Sequence, residues 1–158
     1  MKTSSFKYFF AAAAFIPLTL FKPPSGAWPS SAQIRIGKGD CNTGPIFKVK
    51  VAQTSDARSK RLSHRKKELS EQEGMLFILN EHTTGYFWMK DTFIPLSLIF
   101  FDGKGKYLSG SEMPVETNPS EPIHRYPIPP GTQLALEVAP GNTQALTAAT
   151  SPVLCVQK

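Results

Sequence analysis

Residues 93–101 read FIPLSLIFF, and this stretch indicates the fold more directly than any other part of the chain. Its alternating positions place apolar side chains on both faces of a strand: Ile94, Leu96, Leu98 and Phe100 on one, and Phe93, Ile99 and Phe101 on the other. Strands that are apolar on both faces lie inside covered sheets. Residues 102–105, DGKG, then predict a hairpin turn into a second strand over residues 106–113. The sequence therefore predicts a core built on a sheet with residues 93–101 in its interior.

The flanking segments add further strands and little helix. Apolar alternation or short apolar runs predict strands at residues 46–53, 75–79, 86–89, 134–138 and 153–156. Helices are predicted from Thr54 to about Lys67 and over residues 142–148. Residues 114–131 hold too many prolines and glycines for regular structure and predict a long ordered loop. Together these elements predict one β-dominated α+β domain over residues 46–158, with a curled mixed or antiparallel, barrel-like sheet and one or two short helices.

The N-terminus has the layout of a signal peptide. Lys2 and Lys7 precede an uncharged apolar run over residues 8–21, and PPSG at residues 23–26 ends it. This run of 14 residues is short against the roughly 20 that a membrane-spanning helix needs. We therefore expect an exported protein, periplasmic or extracellular, with no integral membrane span after processing. The alternative is a protein anchored in the membrane by an uncleaved N-terminus.

Small residues set the expected cleavage site. Ser25 and Ala27 favour cleavage after Ala27, which makes residues 1–27 the signal peptide, and Ala32 offers a later site. Residues 28–45 then form an N-terminal extension ahead of the globular domain.

Cys41 and Cys155 are the two cysteines of the chain. We expect them to form a disulfide, because export exposes them to an oxidising compartment and the pair has no competing cysteine. Such a bond closes nearly the whole mature chain into one loop. The alternative is two free thiols, and no Cys-x-x-Cys spacing indicates a redox-active pair.

Composition and missing motifs exclude several classes of function. The 158-residue chain carries a net charge of +6, which falls to +3 without residues 1–32, a segment with three lysines and no acid. A mildly basic exported protein without a recognised binding module is not expected to bind nucleic acid. The sequence has no glycine-rich phosphate loop, no nucleophile elbow and no calcium loop, and its three histidines stand apart. We expect neither a metal nor a cofactor.

Residues 85–95, GYFWMKDTFIP, place aromatic side chains beside a cation and a hydroxyl, the mixture that small-ligand pockets favour. The alternative is a strand whose alternate residues, Phe87 and Met89, simply enter the core. The hypothesis is a pocket walled by this stretch, covered by residues 114–131, with Glu137 paired to Lys90 or Arg65 at its mouth. The predicted ligand-binding residues are Arg65, Trp88, Met89, Lys90, Thr92 and Glu137. No catalytic residue is assigned.

The basic segment over residues 58–67 has two interpretations. A solvated helix face is the simpler one. An anionic partner, such as a lipid head group or an acidic polymer, is the other.

Six stretches of the chain are similar to motifs of one known family: KRLSHR (60–65), EGMLF (73–77), FWMKDT (87–92), IPL (94–96), FDGKGK (101–106) and LEVAPG (136–141). Over residues 47–141 the chain closely resembles domain of unknown function 192, an uncharacterised prokaryotic family. The resemblance implies a compact β-rich α+β domain, often exported, with no established activity. The chain departs from the family at Arg61, Ser63 and Ser97, where the family usually has Gly, Met and often Asp. A shared acid-dependent chemistry at position 97 is therefore not expected.

Two functions follow from these features. The favoured one is a non-catalytic binding or support module of the cell envelope, whose partner is an unknown small molecule or an anionic envelope component. The alternative is a hydrolase or transferase acting on an envelope substrate, which requires Lys90, Glu137 and Arg65 to meet in one cleft. The enzyme interpretation lacks an activated nucleophile.

Overall fold

The computed structural model of the protein describes residues 14–21, 27–60, 62–80, 82–147 and 151–157. Its strands are β1 Phe15–Pro17, β2 Ser31–Lys38, β3 Ile46–Ala52, β4 Glu73–Ile78, β5 Tyr86–Phe87, β6 Leu96–Phe101, β7 Tyr107–Met113, β8 Tyr126–Pro127, β9 Leu134–Val138 and β10 Pro152–Gln157. The helices are α1 Ser55–Lys60, α2 Asn142–Thr147 and a 3-10 helix over Leu18–Leu20. Strands dominate the regular structure, which confirms the predicted α+β class.

Eight of these strands form one mixed sheet in the order β1-β10-β2-β3-β4-β9-β6-β7. The neighbouring pairs are antiparallel except β3 and β4, which run parallel with Lys48 opposite Glu73 and Lys50 opposite Met75. A parallel pair needs a crossover connection, and the segment that contains α1 supplies it. β5 and β8 form a separate two-stranded sheet.

The main sheet separates two apolar clusters, and β6 contributes to both. All six residues of β6 are buried. Ile99 and Phe101 enter one cluster, and Leu98 and Phe100 enter the other. This confirms the predicted interior strand, although it begins at Leu96 instead of residue 93. Proline at position 95 has no N–H to donate to a ladder, so the strand starts after it.

The sheet curls but does not close into a barrel. Its two sides meet at one corner, where Lys106 forms an isolated bridge with Val153 and the Leu154 N–H donates to the Gly105 carbonyl at 2.7 Å. Further along, β1 pairs with residues 155–157 of β10. β1 thus occupies the edge of β10 that closure with β7 would need, and the curled mixed sheet stays open beyond this corner.

The residues predicted as an N-terminal extension include an internal strand. β2 lies between β10 and β3, with Ile34 opposite Val156 on one side and Phe47 on the other. Ile34 and Ile36 are buried and Arg35 between them is half-buried, as in a strand with one wetter face. The globular unit therefore begins before residue 46.

The helix predicted from Thr54 ends earlier than expected. The Thr54 hydroxyl accepts a hydrogen bond from the Ala57 N–H at 3.2 Å, as a capping residue does. α1 ends at Lys60 and has no buried side chain, so it lacks the apolar face that would stabilise a longer helix. His64 has a φ of 62°, a left-handed conformation that an α-helix cannot include.

A disulfide joins Cys41 and Cys155, whose Cα atoms are 5.7 Å apart, and this confirms the predicted pairing. It ties the segment after β2 to β10, its neighbour in the sheet. Within the described part of the chain, none of the helices has the length and hydrophobicity of a membrane span. Residues 1–13 and 22–26, which belong to the predicted signal peptide, lie outside the described residues.

Candidate functional site

The aromatic stretch covers one apolar cluster, and its side chains alternate between core and surface. Phe87 and Met89 are 2% and 1% exposed and belong to that cluster. Tyr86 is 48% exposed, Trp88 is half-buried and Lys90 is exposed. The alternative interpretation, in which Phe87 and Met89 enter the core, therefore holds for these two residues. Met89, predicted to bind ligand, is a core residue.

The proline-rich loop of residues 114–131 is fastened to this stretch by backbone hydrogen bonds. β8 in the loop pairs with β5, and the Asp91 N–H donates to the Pro119 carbonyl at 2.8 Å. The His64 N–H donates to the Asp91 carbonyl at 2.7 Å, which adds the segment after α1 to the same point. Asp91 has a φ of 52°, which Asp and Asn tolerate better than most residues. Three distant segments thus meet at Asp91.

A buried carboxylate holds the loop from inside. Glu116 accepts hydrogen bonds from the backbone N–H and the Nδ1 of His124, each at 3.0 Å. Burial disfavours the charged form of Glu116, but the hydrogen bonds from His124 outweigh burial, and the pKa of Glu116 lies below its ordinary value of 4.5. Glu116 therefore stays charged and keeps the loop around residue 124 in place.

A slot of about 400 Å³ opens beside Trp88, and we call it the aromatic slot. Its walls are apolar: Phe77, Leu79, Phe87, Trp88 and Ile128. Its rim is polar: Ser55, Arg58, Ser59 and Thr83. The Arg58 guanidinium donates to the carbonyls of Gln53 at 2.7 Å and Ile78 at 3.1 Å, so this rim residue is fixed. An apolar cavity with a few polar groups at its edge is the usual form of a small-molecule site.

Two cations, which we call the cation pair, lie against the Trp88 ring. The Lys90 Nζ is 5.5 Å from the ring centroid and the Arg125 Cζ is 4.8 Å from it. The Arg125 Cζ is also 5.1 Å from the centroid of Tyr86, whose ring meets Trp88 edge to face. Among the residues that the structure describes, neither cation has a carboxylate partner. Their charges are oriented by aromatic rings and left available to an anion.

Thr92 and Arg65 lie outside this site. Thr92 is 4% exposed, and its hydroxyl donates to the Lys90 carbonyl at 3.1 Å, so it shapes the turn after the aromatic stretch. The Arg65 Nη2 lies 3.0 Å from a carboxylate oxygen of Glu73, and both residues line a different cavity. These two predicted ligand-binding residues therefore do not line the slot.

Glu137 is in the core and does not line an opening. It is 2% exposed, and its neighbours across the sheet are Met75 in β4 and Leu98 in β6. Glu137 takes part in a polar or charged interaction. The two cations predicted to approach it, Lys90 and Arg65, contact the groups given above. The pairing of Glu137 with Lys90 or Arg65, and with it the enzyme alternative, stays a prediction.

Sequence reasoning missed two members of the site. Tyr86 stands in the predicted stretch, and the alternation that places Trp88 outward places Tyr86 there too. Arg125 has no local signal, because the return of the loop to the aromatic stretch is a tertiary contact. Of the predicted ligand-binding residues, Trp88 and Lys90 are brought together.

The model of domain of unknown function 192 (DUF192), a family described as an uncharacterized ACR, matches residues 39–151. The chain belongs to this family. The match confirms the resemblance read from the motifs and carries no assigned activity for DUF192. No curated protein matches the chain significantly.

Two solved structures share the fold of this DUF192 domain. A protein of unknown function from Novosphingobium aromaticivorans DSM 12444 is 25% identical, with a TM-score of 0.64 over 90% of this chain and 93% of that one. A protein of Sinorhizobium meliloti 1021, described as a candidate transcription regulator, is 22% identical, with a TM-score of 0.62 over 82% of this chain and 96% of that one. At 22% identity, the similarity to the Sinorhizobium meliloti protein shows a shared fold and nothing more.

At position 97, where DUF192 often has Asp, this chain has a serine in β6. The nearby acidic group is Glu112 in the neighbouring strand β7. The Ser97 hydroxyl donates to both carboxylate oxygens of Glu112 at 2.8 Å and accepts from the Asn142 N–H at 3.1 Å. The N–H groups of Gly141 and Thr143 donate to Glu112 at 3.1 and 3.2 Å, and the Thr143 hydroxyl also donates to it. Glu112 therefore caps the start of α2, which is a structural role.

We expect Glu112→Gln to lower the free energy of unfolding by about 1 to 3 kcal/mol, because it weakens a charge-assisted network. Burial disfavours the charged form, but hydrogen bonds from Thr143, Gly141 and Ser97 outweigh it and hold the pKa of Glu112 below 4.5. A pKa lowered by folding adds stability above the unfolded pKa, and that stability is lost as pH falls through the folded pKa. In urea unfolding, the difference between wild type and variant should therefore shrink below pH 4.5.

The matched control is Glu71→Gln, which removes the same charge from an exposed position. It should change the unfolding free energy little at any pH. A Glu112→Gln effect that stays constant into the acidic range would contradict the capping role.

Proposed function

We propose that this DUF192 protein is an exported, non-catalytic module that binds a small amphipathic anion, with the apolar part in the aromatic slot and the anionic group at the cation pair. One observation carries the proposal: Trp88 lines the slot and also holds Lys90 and Arg125 against its ring. A ligand that contacts Trp88 therefore meets apolar surface and positive charge at one residue.

The slot supplies the apolar part of the affinity. Phe77 and Phe87 are 1% and 2% exposed, so the floor of the slot is already part of the packed core and needs no rearrangement. Burying apolar ligand surface there contributes about 25 cal/mol per Å². The hydroxyl groups on the rim tolerate water and polar substituents of the ligand.

The cation pair supplies the preference for an anion. Arg125 also donates hydrogen bonds to the carbonyls of Pro122 and His124, so its guanidinium is held in the loop while donors remain for a ligand. Lys90 is exposed and adapts its position. A charge-assisted hydrogen bond to either group adds about 1.5 to 3 kcal/mol.

The test uses two fluorescent probes that differ by one sulfonate. We expect 1-anilinonaphthalene-8-sulfonate to bind the folded protein about tenfold more tightly than the neutral N-phenyl-1-naphthylamine, a difference of about 1.4 kcal/mol. Lys90→Gln and Arg125→Gln should each reduce that ratio. Ser59→Trp, which fills the slot from α1, should weaken both probes by about tenfold or more.

The control is the double variant Lys104→Gln/Lys106→Gln, which removes two exposed positive charges away from the slot. It should leave both affinities near wild type, and thermal melts of every variant exclude binding by unfolded protein. Equal loss of the sulfonate preference in this control would show general charge attraction and end the proposed role of the cation pair. Unchanged binding to Ser59→Trp would end the role of the slot.

Export is part of the proposal, and the structure favours one of the two cleavage sites. The Trp28 N–H donates to Gln53 Oε1 at 3.1 Å, and Gln53 Nε2 donates to the Trp28 carbonyl at 2.8 Å. Cleavage after Ala27 keeps this clamp. Cleavage after Ala32 removes the first two residues of β2, which pair with β3. We therefore expect the mature chain to begin at Trp28.

The intact mass of the protein from the exported fraction measures this directly. A mass that starts at Trp28 supports processing at the clamp and implies that the mature protein lacks β1. A mass that includes residues 1–21 would instead support the uncleaved anchor, and a chain starting at Gln33 would contradict the importance of the clamp.

A further inference from the structure

We infer that a second site, separate from the aromatic slot, binds a linear polyanion along β3. A trough of about 550 Å³ runs over the outer face of β2, β3 and β4. Lys48 and Lys50 lie on its floor, and Leu62 and Arg65 form a wall. We call it the lysine trough.

The strand register puts the two lysines in line. Val49, between them, enters the core, so Lys48 and Lys50 share the outer face of β3. Alternate residues of a strand are about 7 Å apart along its axis, so the two ammonium groups form a short row of charge. Gln33 lies beside Lys48 in the same trough and adds a neutral hydrogen-bonding group.

The charge of the trough is not balanced internally. Its one acid, Glu73, accepts hydrogen bonds from Arg65 and from the Ser70 N–H, both at 3.0 Å. The Ser70 hydrogen bond first, and then the charge of Arg65, lower the pKa of Glu73, which therefore stays charged and neutralises Arg65. Within the described part of the chain, no acid pairs with Lys48 or Lys50. Two positive charges remain for a ligand.

The arrangement fits a polymer better than a compact anion. A small anion needs donors that converge on one point, whereas the donors here stand in a row on flexible, exposed stems. The wall formed by Leu62 and Arg65 makes the surface concave, which suits a chain lying along β3 and hinders a flat bilayer. The ligand class is therefore a linear polymer with repeated sulfate, phosphate or carboxylate groups.

Dextran sulfate is the probe, and uncharged dextran is its matched control. We expect wild type to bind the sulfated polymer only, and Lys48→Gln/Lys50→Gln to weaken that binding by about tenfold. Binding of a linear polyanion releases counterions, so the slope of log affinity against log salt should fall by roughly 0.7 for each lysine removed. The variant Lys104→Gln/Lys106→Gln loses the same charge outside the trough and should retain more of both the affinity and the slope.

Each other outcome overturns the inference. Equal losses in the two double variants would mean general attraction to a basic protein. Inorganic phosphate competing as strongly as the polymer would mean a small-anion site, and preferential binding to anionic phospholipid vesicles would mean a membrane surface. Sulfonate-probe binding in the aromatic slot should be unchanged by Lys48→Gln/Lys50→Gln, so failure of either site is recognised separately.

Discussion

Loss of the Cys41–Cys155 disulfide is expected to lower the free energy of unfolding by about 4 to 5 kcal/mol. The two cysteines are 114 residues apart, so the bond closes most of the domain into one loop. In the chain-entropy model, such a bond stabilises the protein by restricting the unfolded chain, and the effect grows with loop length. Domains of this size are stable by only about 5 to 15 kcal/mol in total, so the bond is a large fraction.

The sheet topology gives the bond a second consequence. β10 is the last strand of the chain, yet it lies between β1 and β2, which come from the first part. Cys155 stands opposite Arg35 in the ladder between β10 and β2. The disulfide therefore keeps the two ends of the chain beside each other when this ladder opens.

The measurements are urea unfolding and thermal melts of the oxidised protein, the reduced protein and the double variant Cys41→Ser/Cys155→Ala. We expect the reduced protein and the variant to melt roughly 10 to 20 °C below the oxidised protein. Thiol labelling before reduction provides the control, and it should detect no free thiol. A reduced protein within about 1 kcal/mol of the oxidised one would contradict a stabilising role for this bond.

The second large effect is expected at Glu137. This residue is 2% exposed in β9, between Met75 and Leu98, and it takes part in a polar or charged interaction. Removing one member of a buried polar or charged pair leaves the other without its partner in the core. We therefore expect Glu137→Ala to cost about 3 to 5 kcal/mol of unfolding free energy.

Glu137→Gln keeps the volume and removes the charge, so it separates the contribution of charge from that of packing. Glu71→Ala removes a carboxylate from an exposed position and should change stability little. Thermal melts and binding of the sulfonate probe are measured on each variant. An unchanged melting temperature together with lost probe binding would show that Glu137 belongs to the binding site and not to the structural core.

Local patterns were sufficient for most of the sheet. β9 and the hairpin of β6 and β7 were predicted close to their observed bounds, because alternation and turn residues are read from neighbours in sequence. β2 was overlooked although Ile34 and Ile36 alternate with polar residues. This alternation is typical of a strand, but the segment was assigned to an extension because it follows the predicted signal peptide.

The residues that line the proposed site were anticipated only in part. Trp88 and Lys90 were predicted because aromatic and charged residues are close together in this stretch of the sequence. Met89 and Thr92 were chosen for the same reason but lie in the core, since the choice of face depends on what the strand packs against. Glu137 was expected to pair with Lys90 or Arg65 if the sheet curled into a barrel, and the sheet is not closed.

The sequence by itself determined the family, the α+β class, the disulfide partners and most strands, because each depends on composition, short motifs or neighbouring residues. Tertiary structure alone decided which strands are neighbours, that Arg125 reaches the Trp88 ring, and that Glu73 neutralises Arg65 while Lys48 and Lys50 keep their charge. These contacts join residues that are far apart in the chain or depend on which face of a strand is covered. Hydrophobic burial is non-directional, so the sequence pattern specifies that a face is covered without specifying by what.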